Sequence, residues 1–168
     1  NFEKGKVYGI VGENGSGIAE EYGLTNEIEY IMGTFSKGLG SFGAYLACSK
    51  IAKNYLLNKC RSFIFSTSLP PSVIAANIES LNIIKNEPER RKILLENVFY
   101  MRQLLFENKF EISGETQIIP IMVGDAEKAI KISNNLKELG HWIVPIRYPT
   151  VPINKARLRI SLSFILRR

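Results

Sequence analysis

Residues 27–48 hold two apolar segments joined by a glycine-rich turn, and this arrangement restricts the fold more than any other stretch. The segment "EIEYIM" (27–32) is typical of a strand, and "AYLAC" (44–48) is typical of a strand that returns beside it. The turn between them, "GTFSKGLGSFG", is rich in glycines that allow close backbone approach. The sequence therefore predicts a strand, a tight turn and a second strand, with Lys37 in the turn.

Lys37 has unusual neighbours for a lysine. It lies between Phe35 and Leu39, whereas a surface lysine normally lies among polar residues. An apolar setting disfavours the charged ammonium, so the free amine becomes available as a nucleophile. Such an amine can form a Schiff base with an aldehyde such as pyridoxal phosphate, and the hydroxyls of Thr34 and Ser36 would suit that cofactor's phosphate. A structural lysine is the alternative, and a short motif alone does not separate the two.

A second glycine-rich turn, "VGENGSGIAEEYG" (11–23), has the spacing of a nucleotide phosphate-binding loop. That loop needs Lys and then Ser or Thr after its last glycine, and here those positions are Ile18 and Ala19. Neither residue can bind phosphate or Mg²⁺. The sequence instead predicts a turn whose glycines adopt positive φ, and a nucleotide-binding module remains a remote alternative.

The rest of the first half alternates helices and a strand, and the second half has α+β organisation. We expect a first domain at 1–85 and a second at 86–168. In the first, the pattern predicts a helix at 49–59 with Ser49 as N-cap, a short strand "SFIFS" (62–66), and a helix that two prolines open at 70–71. In the second it predicts a long helix at 87–108, a strand at 117–124, a helix at 125–140 with Asp125 as N-cap and Gly140 just beyond its end, and two strands in "WIVPIR" and "RLRISLS".

Composition limits the class of protein. With 45% hydrophobic and 23% charged residues, the chain is expected to be globular. No apolar run approaches the length of a membrane helix, and two cysteines without a disulfide framework fit the cytoplasm. The net charge of +6 indicates a basic surface or a site for phosphorylated ligands, but the scattered charges do not favour nucleic acid. We expect no membrane, nucleic-acid or metal partner.

Several residues outside the turns are expected to be structural. Tyr8, Trp142 and the phenylalanines are assigned to the core, and Cys48 is assigned to packing on a buried strand. His141, the only histidine, follows a glycine at a helix end and is assigned a surface or packing role.

Four segments in order carry a family resemblance. "GTFSKGLGSFGAYL" resembles the cofactor-lysine segment of the α-oxoamine synthases, pyridoxal-phosphate enzymes of aminotransferase fold type I, and matches their pattern T-x-[SG]-K-[AG]-x-G-x-x-G. Three later segments resemble further signatures of that family: "FSTSLPPSVIAA" (65–76), "IIPIMVGDAEKA" (118–129) and "PIRYPTVPINKARLRISLS" (145–163). The resemblance extends from Tyr8 to Ser163. It implies an α/β fold type I PLP-dependent transferase, with 1–85 as the C-terminal part of the large PLP-binding domain and 86–168 as a connecting helix and small α+β domain of an incomplete chain.

The resemblance also implies roles for individual residues. Lys37 would hold pyridoxal 5'-phosphate and act as catalytic base and acid. Thr34 and Ser36 would bind the cofactor phosphate together with Thr67 from the other subunit of a homodimer, whose active site lies at the subunit interface. Arg159 would bind the substrate carboxylate with help from Arg147 and Thr150, while Arg157 is assigned a structural role.

One segment departs from the family. The family has an Asp and a His just before the glycine turn, where they contact the pyridine ring. This chain has Glu3 and Lys6 at those positions. We expect that "NFEKGKV" is not natively contiguous with "YGIV", and neither residue is assigned a role.

The implied reaction is decarboxylative condensation of an amino acid with an acyl thioester, which gives an α-oxoamine, the free thiol and CO₂. "IRYPTVP" with "RLRISLS" favours the biotin-pathway branch, which joins L-alanine to pimeloyl-CoA or a pimeloyl-carrier protein. Tyr148 favours the glycine-using branch, which makes 2-amino-3-ketobutyrate. Another member of the family, or a non-catalytic partner subunit, is the remaining alternative.

Overall fold

The computed structural model describes residues 11–166, and the chain divides into two compact units, Asn1–Pro88 and Glu89–Arg168. Each unit is described by itself. Glu3, Lys6 and Tyr8 lie outside the described residues.

The first unit begins with the glycine turn. Gly12, Gly15 and Gly17 have φ values of +87°, +75° and +93°, which confirms the expected positive-φ turn. The backbone N–H of Gly17 donates to the Val11 carbonyl at 2.9 Å and closes the turn. A short helix, α1 (Ile18–Glu21), follows, and the Glu20 carboxylate accepts the backbone N–H groups of Asn14 and Ser16. Protein groups therefore fill the inside of this turn.

The expected hairpin is present. Strand β1 (Tyr30–Thr34) pairs antiparallel with β2 (Ala44–Cys48), from Tyr30 opposite Cys48 to Thr34 opposite Ala44. Gly33 lies opposite Tyr45, and the Tyr45 ring packs edge-on against Phe35 with centroids 5.3 Å apart. The loop that carries Lys37 therefore connects the paired ends of the two strands.

Three helices complete the first unit: α2 (Lys50–Lys59), α3 (Arg61–Ile64) and α4 (Pro71–Asn86). Ser49 caps α2 by accepting the Ala52 N–H at 3.2 Å, and a proline opens α4, as predicted. The strand predicted at 62–66 is wrong, because the Cys60 carbonyl accepts the N–H groups of Phe63 and Ile64 and starts a helical turn. A short apolar run does not distinguish a strand from a helix.

The second unit consists of a long helix and a sheet. Helix α5 (Glu89–Glu107) lies within the helix predicted at 87–108, and it buries Leu94 and Val98, whereas Ile93 is exposed. Arg102 fastens α5 to the following loop by donating to the carbonyls of Ser113 and Thr116, the latter at 3.0 Å.

The sheet of the second unit has three antiparallel strands: β3 (Ile118–Gly124), β4 (Val144–Ile146) and β5 (Ala156–Ser161). Their order is β3-β5-β4, so β5 is central and β4 is an edge. Helix α6 (Ala126–Glu138) packs on this sheet. Asp125 caps α6 by accepting the Lys128 N–H at 2.7 Å, and Gly140 follows its end with φ +87°, as predicted. Ile119, Ala129 and Leu158 form the core between helix and sheet.

The predicted core is wrong for most aromatic residues. Phe35 is buried, but Trp142 is 77% exposed and lies under the Lys137 ammonium. Other phenylalanines are exposed as well: Phe42, Phe63, Phe65, Phe99, Phe106, Phe110 and Phe164. Cys48 is only half-buried. Burial depends on what covers a residue, and each unit is too small to cover all of these rings by itself.

Within residues 11–166, no helix is long and apolar enough to cross a membrane.

Candidate functional site

The lysine loop, residues 35–43, is fixed at several points along its backbone. The Phe35 N–H donates to the Gly43 carbonyl at 2.9 Å, and the Ser41 N–H donates to the Phe35 carbonyl at 2.8 Å. Inside the loop, the Gly40 N–H donates to the Lys37 carbonyl at 3.0 Å. The backbone of Lys37 is therefore held in a defined turn.

The Lys37 side chain points outward, which corrects the expected apolar setting. Its neighbours Phe35 and Leu39 are 6% and 7% exposed, whereas Lys37 itself is exposed. The reason is the turn that begins at Lys37, because a turn ends the two-residue alternation that would have put all three side chains on one face. In this chain the amine is open to solvent, and the apolar neighbours anchor the loop.

A pair of hydroxyls stands beside the lysine, as the sequence predicts. The Oγ atoms of Thr34 and Ser36 are 2.8 Å apart, and Thr34 Oγ1 also donates to the Gly43 carbonyl at 3.1 Å. The Ser36 N–H in turn donates to Thr34 Oγ1 at 3.2 Å. The amine of Lys37 can attack an aldehyde, and the two hydroxyls can donate to phosphate oxygens once they rotate away from their partners in this structure. This set of groups fits pyridoxal phosphate.

Helix α4 donates hydrogen bonds to the lysine loop. The sequence patterns did not indicate this contact. Ser80 Oγ donates to the Leu39 carbonyl at 2.8 Å, and Asn77 Nδ2 donates to the Phe42 carbonyl at 3.2 Å. Asn77 is 5% exposed, and its Oδ1 has no hydrogen-bond partner among the described residues. These residues lie 35 and 41 positions from their partners, so no local pattern could have identified them.

Two glycines let side chains approach this hairpin closely. A Cβ at Gly33 would overlap the Tyr45 ring, and a Cβ at Gly43 would lie 2.7 Å from Leu69 Cδ1. Gly43 also has φ +98°, a conformation that side-chain-bearing residues rarely adopt. Leu69 thereby brings the segment before α4 to the end of the lysine loop.

Thr67 lies in that same segment and is exposed. Among residues 11–166, the structure gives its side chain no hydrogen bond to Thr34, Ser36 or Lys37. The residues that the structure brings together are therefore Thr34 and Ser36, next to Lys37 in the chain. The phosphate-binding role of Thr67 in a second subunit stays a prediction.

In the second unit, an open cavity of about 430 Å³ holds two of the predicted substrate residues. Arg147 and Thr150 line it, and the Thr150 N–H donates to the Arg147 carbonyl at 3.0 Å. The peptide bond between Tyr148 and Pro149 is cis. The remaining lining residues are mainly apolar: Ile130, Pro145, Ile146, Tyr148 and Pro149.

Arg159 lies on the central strand β5, opposite Pro120 on one side and Val144 on the other. It is exposed and does not line the cavity. The structure therefore places Arg147 and Thr150 on the same turn, lining the same cavity, and it places Arg159 on the neighbouring strand β5. Their roles in binding a carboxylate stay predictions.

Two groups outside these sites have shifted pKa values. A hydrogen bond from the Ser62 hydroxyl, 3.4 Å from the Cys60 thiol, lowers the pKa of Cys60, with backbone N–H groups adding to the effect. Burial lowers the pKa of Arg102. Among the described residues, no group of three or more His, Cys, Asp or Glu side chains could hold a metal ion.

The fold and the lysine loop agree with the protein family that the sequence matches. It belongs to the aminotransferase class I and II family, whose sequence profile matches residues 6–164. Two curated relatives are 8-amino-7-oxononanoate synthases, from Lysinibacillus sphaericus at 48% identity and from Trichlorobacter lovleyi at 42%. Each match covers 92% of this chain and 40% of the relative, so the chain spans well under half of their length.

Solved structures agree with this assignment. A variant serine palmitoyltransferase from S. paucimobilis, described with a bound PLP–myriocin aldimine, matches with a TM-score of 0.85 at 30% identity, over 95% of this chain and 41% of that one. The 8-amino-7-oxononanoate synthase of Francisella tularensis matches with a TM-score of 0.82 at 25% identity, over 96% and 48%. Both are α-oxoamine synthases. The resemblance and the fold type I PLP-dependent transferase fold are therefore confirmed, and the chain corresponds to part of that fold.

Proposed function

We propose that the chain is part of a pyridoxal-phosphate-dependent acyltransferase that makes 8-amino-7-oxononanoate for biotin biosynthesis. The reaction would condense L-alanine with a pimeloyl thioester, on CoA or on a carrier protein, and release CO₂ and the thiol. The observation that carries the proposal is the lysine loop, in which Lys37 follows Ser36 in the chain and the hydroxyl oxygens of Thr34 and Ser36 are 2.8 Å apart. The 48% identity to a relative with that name supports the choice of substrates.

The residues of the first unit would hold the cofactor. The Lys37 nitrogen would bind its aldehyde carbon and, once displaced by the amino acid, would take and return the proton at the substrate's α-carbon. The hydroxyls of Thr34 and Ser36 would donate hydrogen bonds to phosphate oxygens, and Thr67 of a second subunit would add a third. When bound, pyridoxal phosphate supplies an electron sink for the α-carbon.

The residues of the second unit would bind substrate. The guanidinium of Arg159 matches a carboxylate with two parallel hydrogen bonds, and Arg147 would assist it. Thr150, on the same turn as Arg147, would donate a further hydrogen bond to substrate. We propose a homodimer as the assembly and the cytoplasm as its location, and the two free cysteines support the latter.

Reductive trapping tests the assignment of Lys37. The chain is mixed with pyridoxal phosphate, treated with borohydride and digested, and the modified peptide is identified by mass spectrometry. We expect one pyridoxyl phosphate adduct on Lys37, abolished in Lys37→Ala and retained in Lys53→Ala, which removes an exposed lysine of α2. Labelling spread over several lysines, or the same labelling in Lys37→Ala, would refute the proposed cofactor site.

The choice of amino acid needs a separate measurement. The serine palmitoyltransferase neighbour favours a second candidate, an α-oxoamine synthase that uses another amino acid. Product analysis with pimeloyl-CoA and L-alanine, glycine or L-serine distinguishes these candidates. We expect CO₂ to be released faster with L-alanine than with glycine or L-serine. A preference for glycine or L-serine would assign the protein to another branch of the α-oxoamine synthases.

A further inference from the structure

Ser80 of helix α4 is connected to the Lys37 backbone through a single peptide group. The Ser80 hydroxyl donates to the Leu39 carbonyl at 2.8 Å. The Gly40 N–H, which belongs to the same peptide group as that carbonyl, donates to the Lys37 carbonyl at 3.0 Å. The C=O and N–H of a trans peptide lie in one plane and point in opposite directions. Ser80 and the Lys37 carbonyl therefore bind the two ends of one rigid group.

The Gly40 backbone offers little resistance of its own to rotation of this peptide group. Gly40 has φ +62°, and rotation of the group changes this angle together with ψ of Leu39. Glycine populates positive and negative φ about equally, so both orientations are accessible to it. Within residues 11–166, a Cβ at Gly40 would have no atom within 4 Å apart from its chain neighbours, so side-chain packing does not hold this residue. The hydrogen bond from Ser80 therefore favours the observed orientation.

The orientation of the Leu39–Gly40 peptide group affects Lys37 directly. In the observed orientation the Gly40 N–H closes the turn that begins at Lys37. That turn sets the direction in which the Lys37 side chain leaves the backbone, away from the buried side chains of Phe35 and Leu39. Without the Ser80 hydroxyl, the part-buried Leu39 carbonyl would lose its donor, and the turn would be free to open.

We propose that Ser80 is a positioning residue for Lys37, acting through the Leu39–Gly40 peptide group. The inference rests on the proposed function, because it takes Lys37 to be the amine that binds pyridoxal phosphate. Ser80 raises the fraction of molecules in which this amine is placed for reaction, and the apparent affinity for the cofactor follows that fraction. Asn77 acts at a different peptide group, since it donates to the Phe42 carbonyl.

Borohydride trapping over a range of pyridoxal phosphate concentrations tests this proposal on the full-length protein that contains this chain. Ser80→Thr and Ser80→Val introduce side chains of nearly the same shape, and only the first keeps a hydroxyl. We expect Ser80→Thr to be labelled at Lys37 like the unchanged protein. Ser80→Val should need about tenfold more pyridoxal phosphate for half-maximal labelling, the effect of one hydrogen bond. Ser72→Ala, which removes an exposed serine from the same helix, should have no effect.

A second substitution separates positioning of Lys37 from general stabilisation of α4. Asn tolerates positive φ and has less conformational freedom than glycine, and the described residues leave the space beside Gly40 open. We expect Gly40→Asn to restore part of the lost cofactor affinity in the Ser80→Val protein, because it favours the same orientation of the peptide group. Stabilisation of the helix alone by Ser80 would give no such recovery.

Two outcomes would overturn the proposal: equal labelling of Ser80→Thr and Ser80→Val, or no recovery on adding Gly40→Asn. Circular dichroism verifies that each variant is folded, and Ser80→Ala takes the place of Ser80→Val if the latter does not fold. The unchanged protein separates this failure from failure of the proposed function. Labelling of Lys37 that is insensitive to Ser80 overturns only the positioning role, whereas absence of Lys37 labelling in the unchanged protein overturns both.

Discussion

Gly33 is a position where the hairpin has no room for a side chain. A Cβ there would overlap the Tyr45 ring, which is held against Phe35. We expect Gly33→Ala to lower the free energy of unfolding by about 1–3 kcal/mol, the usual cost of overpacking, as measured by urea denaturation. In a Tyr45→Ala background the same change should cost much less. An equal cost in both backgrounds would show that the ring is not the cause.

At the scale of single residues, the sequence could predict what local chain geometry controls. Thr34 and Ser36 are two positions apart on a strand end, so their meeting next to Lys37 follows from sequence proximity. The outward direction of Lys37 could not be predicted, because it depends on where the turn begins. The role of Asn77 could not be predicted either, since nothing near it in the sequence indicates a contact with Phe42.

Helix α4 and the lysine loop behave as one structural element. We expect Asn77→Ala to lower the free energy of unfolding by about 1–3 kcal/mol, because it removes a donor to a part-buried carbonyl. It should also slow formation of the pyridoxyl adduct on Lys37. Asn82→Ala, an exposed site on the same helix, is the control and should change neither quantity. If both variants behave alike, the helix does not position the loop through Asn77.

Elements with local end signals were predicted well. The Ser49 and Asp125 caps and the proline at the start of α4 each act within a few residues, so the sequence alone identifies them. Helix α3 lacks such signals, and its apolar residues allowed a strand to be predicted in its place. The order β3-β5-β4 depends on pairing between distant segments, which no local pattern encodes.

At the scale of the whole molecule, both units expose large apolar side chains. Examples are Ile51 and Phe65 in the first unit and Phe106 in the second, at 82%, 77% and 76% exposed. We expect the isolated chain to self-associate, with a sedimentation mass above 19.0 kDa that rises with concentration. Ile51→Lys should weaken the association, and Lys53→Gln should not. A concentration-independent monomer would contradict this expectation.

The same exposed surfaces explain why core residues were mispredicted. Apolar residue type indicates that a side chain favours burial, but the covering groups are set by the whole assembly. The chain spans about 40% of its curated relatives, so rings such as Trp142 cannot be assigned to a core from this sequence alone.

The backbone hydrogen bonds around Lys37 have a kinetic consequence. The Lys37 carbonyl accepts the Gly40 N–H, and the loop is hydrogen-bonded to α4, so rotation of its side-chain torsions is the least restrained way for Lys37 to move its nitrogen. Such rotations at exposed positions take picoseconds to nanoseconds, far faster than the rearrangement of a mobile loop. We therefore expect the movement of this nitrogen between cofactor and substrate to be faster than the chemical steps.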